Sequence, residues 1–108
     1  MTITVVYDPV DGKAVAEWKV AEFVSDVVEL YKRSGKVTIF VGLSQLVDEF
    51  RIRVIRREIE HEQLLFMFNG QYIKVDPTGM LERWPTGFCD FIDGQLTVLL
   101  DSKYGTGH

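Results

Sequence analysis

The sequence predicts an α/β protein: a small βαβα unit with parallel strands, followed by a β-hairpin and a short C-terminal helix. Three observations lead there. A β-branched run at Thr2–Tyr7, a long helical stripe and a second apolar run at Lys36–Val41 succeed one another at the lengths of a βαβ crossover. Two alternating runs, Leu64–Phe68 and Gln71 to Val75, flank Asn69-Gly70, the dipeptide that best accepts the positive φ angles of a two-residue hairpin turn. Finally, 108 residues, 46% apolar and 26% charged, suit one domain around one core. Residues 1–101 are expected to form that domain and 102–108 a flexible polar tail.

Asp8-Pro9 ends the first strand, because proline pre-sets a turn and pushes the residue before it out of the α region. From Ala14 to Arg33, the apolar residues Ala16, Val20, Phe23, Val24, Val27, Leu30 and Tyr31 share one helical face. Gly35 then stops the helix by taking a left-handed conformation. Val37-Thr-Ile-Phe-Val41 is apolar at both alternating positions, which predicts a central strand covered on two faces and a parallel pairing of the usual hand.

Ser44 to Glu60 reads as a helix with Ser44 as its N-cap. Leu46, Val47, Phe50 and Val54 form one apolar face and Ile52, Ile55 and Ile59 a second flank, although Phe50-Arg-Ile-Arg-Val54 also alternates like a strand. In the hairpin, pairing Phe68 with Gln71 sets Phe66 opposite Ile73 and Leu64 opposite Val75, which makes a core surface. Asp76-Pro77-Thr78-Gly79 has the form of a type I turn, and the stretch from Met80 to Phe88, broken by Pro85 and Gly87, reads as a packed aromatic loop. Ile92, Leu96, Leu99 and Leu100 stand at helical spacing, while Asp93-Gly94 also imitates a hairpin turn.

Twelve basic against sixteen acidic side chains leave a net charge of −4, so no bulk positive field draws a phosphate backbone and general nucleic-acid binding is disfavoured. Cys89 is the one cysteine, which excludes an internal disulfide and a cysteine-only zinc site. No apolar run approaches the ~18–20 residues of a spanning helix. The expected location is the cytoplasm, away from membranes.

The search for chemistry mostly finds its absence. Gly12-Lys13-Ala14 and Gly35-Lys36-Val37 lack the upstream glycine and following hydroxyl of a phosphate cradle, and His61-Glu62 has Leu65 where a zinc protease needs its second histidine. Cys89, between Phe88 and Asp90, is expected as a small buried residue. Asp8 and Asp11, with Glu17, form a candidate paired-carboxylate site for a metal-dependent hydrolase, and turn chemistry accounts for both aspartates equally well. Arg51, Arg53, Arg56 and Arg57 make a basic cluster suited to an acidic partner, or to pairing with Glu58, Glu60 and Glu62 on a solvated face. Trp84-Pro85 with Phe88 is a candidate recognition patch, or a loop covering the core. No catalytic residue, cofactor or metal site is assigned.

The string Val5-Val6-Tyr7-Asp8-Pro9, the helix around Lys19-Val20-Ala21-Glu22-Phe23-Val24, Gly42-Leu43-Ser44 and Trp84-Pro85-Thr86-Gly87-Phe88-Cys89-Asp90 occur in an order that resembles the C-terminal lobe of RecF/SMC-like ABC ATPases, many of them bacterial anti-phage defence or overcoming-lysogenisation-type enzymes. In that family these segments carry the Walker B acids, the following helix, the Thr-His-Ser switch and a closing aromatic motif. Here Tyr7 replaces the magnesium-organising aspartate, Leu43 replaces the sensor histidine, Asp8 stands for the catalytic glutamate, and no P-loop half precedes them. Losing these groups together removes the electrostatic stabilisation that phosphoryl transfer needs. The resemblance thus implies a non-catalytic protein-binding module that regulates or mimics a larger ATPase, or binds its own copy, in a setting of phage–host conflict. Its expected contact residues are Arg51, Arg53, Arg56 and Trp84. One half of a split ATPase is the further alternative.

Overall fold

The computed structural model describes residues 1–85 together with Gly87 and Phe88. The expected C-terminal helix, the 102–108 tail and Cys89 lie outside the described residues. Strands β1 (Thr2–Tyr7), β2 (Lys36–Val41), β3 (Leu64–Phe68) and β4 (Gln71–Lys74) form one sheet in the order β2-β1-β3-β4, with helices α1 (Val20–Ser34) and α2 (Ser44–Ile55) between its parallel strands. β1 pairs parallel with both β2 and β3, and β3 pairs antiparallel with β4. This is the α/β architecture the sequence predicts.

The core lies on one side of the sheet. Ile3, Val5, Tyr7, Val37, Val41, Leu64, Phe66 and Ile73 are buried there against Val20, Val24, Val27, Val28 and Tyr31 of α1 and Leu46, Val47, Phe50 and Val54 of α2. Alternate residues point the other way, where Lys36, Thr38 and Phe40 of β2 and Tyr72 and Lys74 of β4 are exposed. Among the described residues β2 is therefore an edge strand covered on one face, not the central strand expected; β1 is central. With both helices on one face and β2 and β3 on opposite sides of β1, the two parallel crossovers have opposite hands, so the usual handedness holds for only one of them.

The hairpin register follows the expected pairing for Phe68 opposite Gln71 and Phe66 opposite Ile73, and Asn69 and Gly70 both take positive φ; the ladder ends at Leu65 and Lys74, short of the expected Leu64–Val75 pair, and Val75 bridges Leu81 instead. Gly35 ends α1 at φ 80°, its N–H donating to the Tyr31 carbonyl. Three boundaries differ. α1 starts at Val20, after a 3-10 turn at Glu17–Lys19, because Lys13 is drawn to β2: its N–H donates to the Phe40 carbonyl and its carbonyl accepts from the Gly42 N–H. Leu43, not Ser44, is the N-cap of α2; Ser44 is already helical, and its buried hydroxyl has no hydrogen-bond partner among the described residues. α2 ends at Ile55 rather than Glu60, since Arg57 turns left-handed and the Glu58 N–H folds back to the Arg53 carbonyl.

Both sheet edges are blunted. On β4, the Glu82 N–H donates to the Lys74 carbonyl, Glu82 Oε1 accepts from the Lys74 N–H, and Arg83 Nη2 donates to the Tyr72 carbonyl. On β2, Lys13 occupies the Phe40 carbonyl and the Ser34 hydroxyl donates to the Lys36 carbonyl.

The 8–13 loop is pressed onto the end of β2 at Gly12, where a Cβ would stand 2.3 Å from the Val41 carbonyl carbon. Gly12→Ala must displace backbone, and is expected to cost about 2–3 kcal/mol in urea unfolding; an unchanged midpoint would show the approach to be looser.

Candidate functional site

The arginine cluster is largely internal. Arg51 is 1% exposed and Arg53 6% exposed, so the solvated basic face expected from the sequence is not formed by them. Their heads point to opposite neighbours of α2. Arg51 Nε donates to the Gly79 carbonyl at 2.7 Å, Nη1 lies 3.5 Å from Asp48 Oδ1, and the guanidinium sits 5.0 Å from the Trp84 ring centroid. The 76–79 turn is flush against α2, since a Cβ on Gly79 would be 2.8 Å from Ile55 Cγ1.

Arg53 reaches α1 instead, donating through Nη2 to the Ala21 carbonyl and the Ser25 hydroxyl, and it pairs with Glu49 and Glu58 at 2.8 and 2.9 Å. Burial alone would lower the Arg53 pKa, but its hydrogen bonds to the two carboxylates outweigh this and hold it above the ordinary value. Of the expected contact residues, only Arg56 is exposed; Trp84 is half-buried against Phe88 and under Arg51. The structure brings Arg51 and Trp84 together as packing and leaves Arg56 apart.

Of the two aspartates after β1, Asp8 also has a local task. Asp8 Oδ1 accepts from the Val10 and Asp11 N–H groups, so its carboxylate shapes the turn. Asp11 is exposed on that turn. Among the described residues, no group of three or more His, Cys, Asp or Glu side chains is placed to hold a metal ion. Also among them, no helix is long and apolar enough to cross a membrane.

The surface that stands out is the open face of the sheet. The registers align Phe40 with Val6, Val6 with Met67 and Met67 with Tyr72, giving one transverse row across all four strands. Phe40 and Tyr72 at its ends are 55% and 53% exposed, and Val6 and Met67 between them are half-buried. The next row is Thr38, Thr4, Leu65 and Lys74, and Lys36 stands beside Thr2 below it. No strand residue on this face is acidic. Its lower corner by Leu65 and Lys74 opens into a groove of about 570 Å³ walled by Leu64, Val75 and Met80, with His61, Glu62 and Glu82 at its rim.

Sequence reasoning missed this row because Phe40 made β2 look two-sided. The signal was present in Lys36 and Thr38, which share an alternation with Phe40, as Thr2 and Thr4 do with Val6. Comparison with known proteins adds nothing to it: no family model, curated protein or solved structure matches the chain.

Two predictions follow from the polar contacts. Arg51→Ala deprives the Gly79 carbonyl and Asp48 of a buried cation, with an expected loss of about 3–5 kcal/mol. Arg51→Lys should lose much of the same stability, because an ammonium cannot reproduce the Nε–H bond and the ring contact together; full retention in urea unfolding would count against the clamp.

Asp76 is held below the usual carboxylate range, first by the Thr78 hydroxyl hydrogen bond, then by the Met80 and Thr78 N–H groups and the His61 charge, with burial opposing. A depressed folded-state pKa stabilises fully above about pH 4 and less as pH falls through the lowered value. Asp76→Asn should therefore lower the melting temperature at pH 7, with the deficit shrinking on acidification below about pH 4. A deficit constant with pH would assign the effect to turn geometry.

Proposed function

We propose that this chain is a non-catalytic protein-binding module, with the shape of an ABC ATPase C-terminal lobe, that docks on a larger ATPase or on a second copy through the open face of its sheet. The observation that carries this reading is the Phe40–Val6–Met67–Tyr72 row, a contiguous apolar surface ended by two exposed aromatics. Monomeric proteins seldom leave such a patch bare, and aromatic anchors of this type dominate binding energy at protein interfaces.

The local chemistry around Asp8 fits a non-catalytic role. Its carboxylate oxygen is taken up by its own turn, and the loop that follows is packed onto the end of β2 with Gly12 in van der Waals proximity to the Val41 backbone. The corner where α/β proteins commonly open a crevice for ligands is thus filled by backbone.

The test uses the full chain as bait, beside a Phe40→Asp, Tyr72→Asp variant whose exposed positions leave the core untouched. A partner identified by mass spectrometry, or the chain's own copy, should bind the native protein and weaken by at least about tenfold with the variant, while Arg56→Glu retains it. Retention by the Phe40, Tyr72 variant, or a melting-temperature rise of several degrees with Mg-ATP, would overturn the proposal.

A further inference from the structure

We infer that the partner of the open face is a second copy of this chain, stacked face to face about a two-fold axis parallel to the strands, so that β2 of each copy lies over β4 of the other. This rests on the reading of that face as a binding surface and names its occupant.

The two ends of each row on the face match one another. The first row runs from Phe40 to Tyr72 and the second from Thr38 to Lys74. A third starts at Lys36 and ends at Asp76, since each stands two residues further along its own segment, on the same alternation. A short ladder prolongs β4 and keeps Asp76 in line: Val75 bridges Leu81, the Asp76 N–H donates to the Met80 carbonyl, and the Glu82 N–H donates to the Lys74 carbonyl. Lys74, Asp76 and Glu82 all line the groove at the lower corner, together with exposed Glu62.

Charge is therefore polarised across the strands. At the β2 end stands Lys36, exposed and paired with no carboxylate among the described residues. At the β4 end three carboxylates, Glu62, Asp76 and Glu82, surround one lysine. Asp76 Oδ1 accepts from the Thr78 N–H and hydroxyl and from the Met80 N–H, which fixes the carboxylate in place; Oδ2 carries no hydrogen bond among the described residues.

In a two-fold interface residue i meets j and j meets i, so one half of the surface must complement the other half of the same molecule. An axis along the strands keeps each row at its level and exchanges its ends. Phe40 then meets Tyr72 of the other copy, Val6 meets Met67, Thr38 meets Lys74, and Lys36 meets the carboxylates around Asp76; every pairing occurs twice. An axis along the rows would instead carry the Lys36–Asp76 row past the far rim and leave its charges unmatched. A foreign partner demands no match between the two ends of a row, whereas a second copy does, and the opposite charges at those ends meet that demand.

The area sets the strength. Four strands and three rows give a footprint of roughly 400 Å² per copy, about 800 Å² in all, at the low end for specific association. The dimer is accordingly weak and forms reversibly with concentration.

The first experiment is sedimentation velocity on the full chain from about 5 to 500 µM. The expected result is a monomer–dimer equilibrium with Kd in the range of tens to hundreds of micromolar. Lys36→Glu should raise Kd about tenfold, Phe40→Asp with Tyr72→Asp should leave only monomer, and Arg56→Glu should change nothing; circular dichroism checks that each variant is folded. The second experiment reads the arrangement in a Cys89→Ser background. Thr38→Cys chains are mixed with Lys74→Cys chains and treated with a short bis-maleimide. Across the stack these two sites lie about 10 Å apart, while like sites, on opposite edges, lie about 17 Å apart. The mixed link should form at several times the yield of either like link.

A monomer throughout the concentration range, a dimer indifferent to Lys36→Glu, or like links as abundant as the mixed one would overturn the inference. A monomer that still captures a foreign partner through Phe40 and Tyr72 removes the second copy and leaves the binding face standing. A dimer that persists in the Phe40, Tyr72 variant removes both.

Discussion

α2 is held by two buried guanidinium groups pointing in opposite directions, and the positions of its neighbours depend on them. Arg51 binds the 76–79 turn and the Trp84 loop, while Arg53 binds α1 and the chain reversal at Glu58. A helix with only one apolar stripe faces the sheet and leaves its flanks to chance. Here each flank ends in a multiply bonded cation, so the lateral placement of α1 on one side and the 76–79 turn on the other is set by hydrogen-bond geometry as well as by packing. Arginine suits both tasks, since its fork makes several directed bonds at once and its flat face stacks on an aromatic ring.

The same device explains which parts of the fold were legible in the sequence. Where residue type and burial agree, the elements are readable: β1, the hairpin with its Asn69-Gly70 turn and the Gly35 stop come directly from β-branching, alternation and the tolerance of positive φ. Charged residues that are buried break that agreement. Arg51 and Arg53 occupy inward positions, so α2 alternates like a strand on paper and its arginines read as a solvated cluster. The end of α2 was hidden for a related reason, because Arg57 adopts a left-handed backbone that no glycine announces.

The candidate site was less legible because its defining property is a register. Phe40, Val6, Met67 and Tyr72 are far apart in the chain, and none is unusual alone; a row appears only once the order β2-β1-β3-β4 is known. Sequence alternation gives each strand's two faces but not which strand lies at an edge, and β2, apolar at Val37, Ile39, Phe40 and Val41, was placed at the centre on composition. The aspartates of the β1 turn illustrate the converse. Their spacing is compatible with chemistry, and the hydrogen bonds that Asp8 Oδ1 accepts from the Val10 and Asp11 N–H groups show the turn's own demand for Asp8.

The caps that Glu82, Arg83, Lys13 and Ser34 place on the outer strands carry a consequence for self-association. Sheet growth by adding strand upon strand, the route to fibres, meets backbone groups already occupied on both outer strands. Any assembly of this protein is thereby steered toward finite stacking of one flat surface on another, so a greasy exterior need not become an aggregating one.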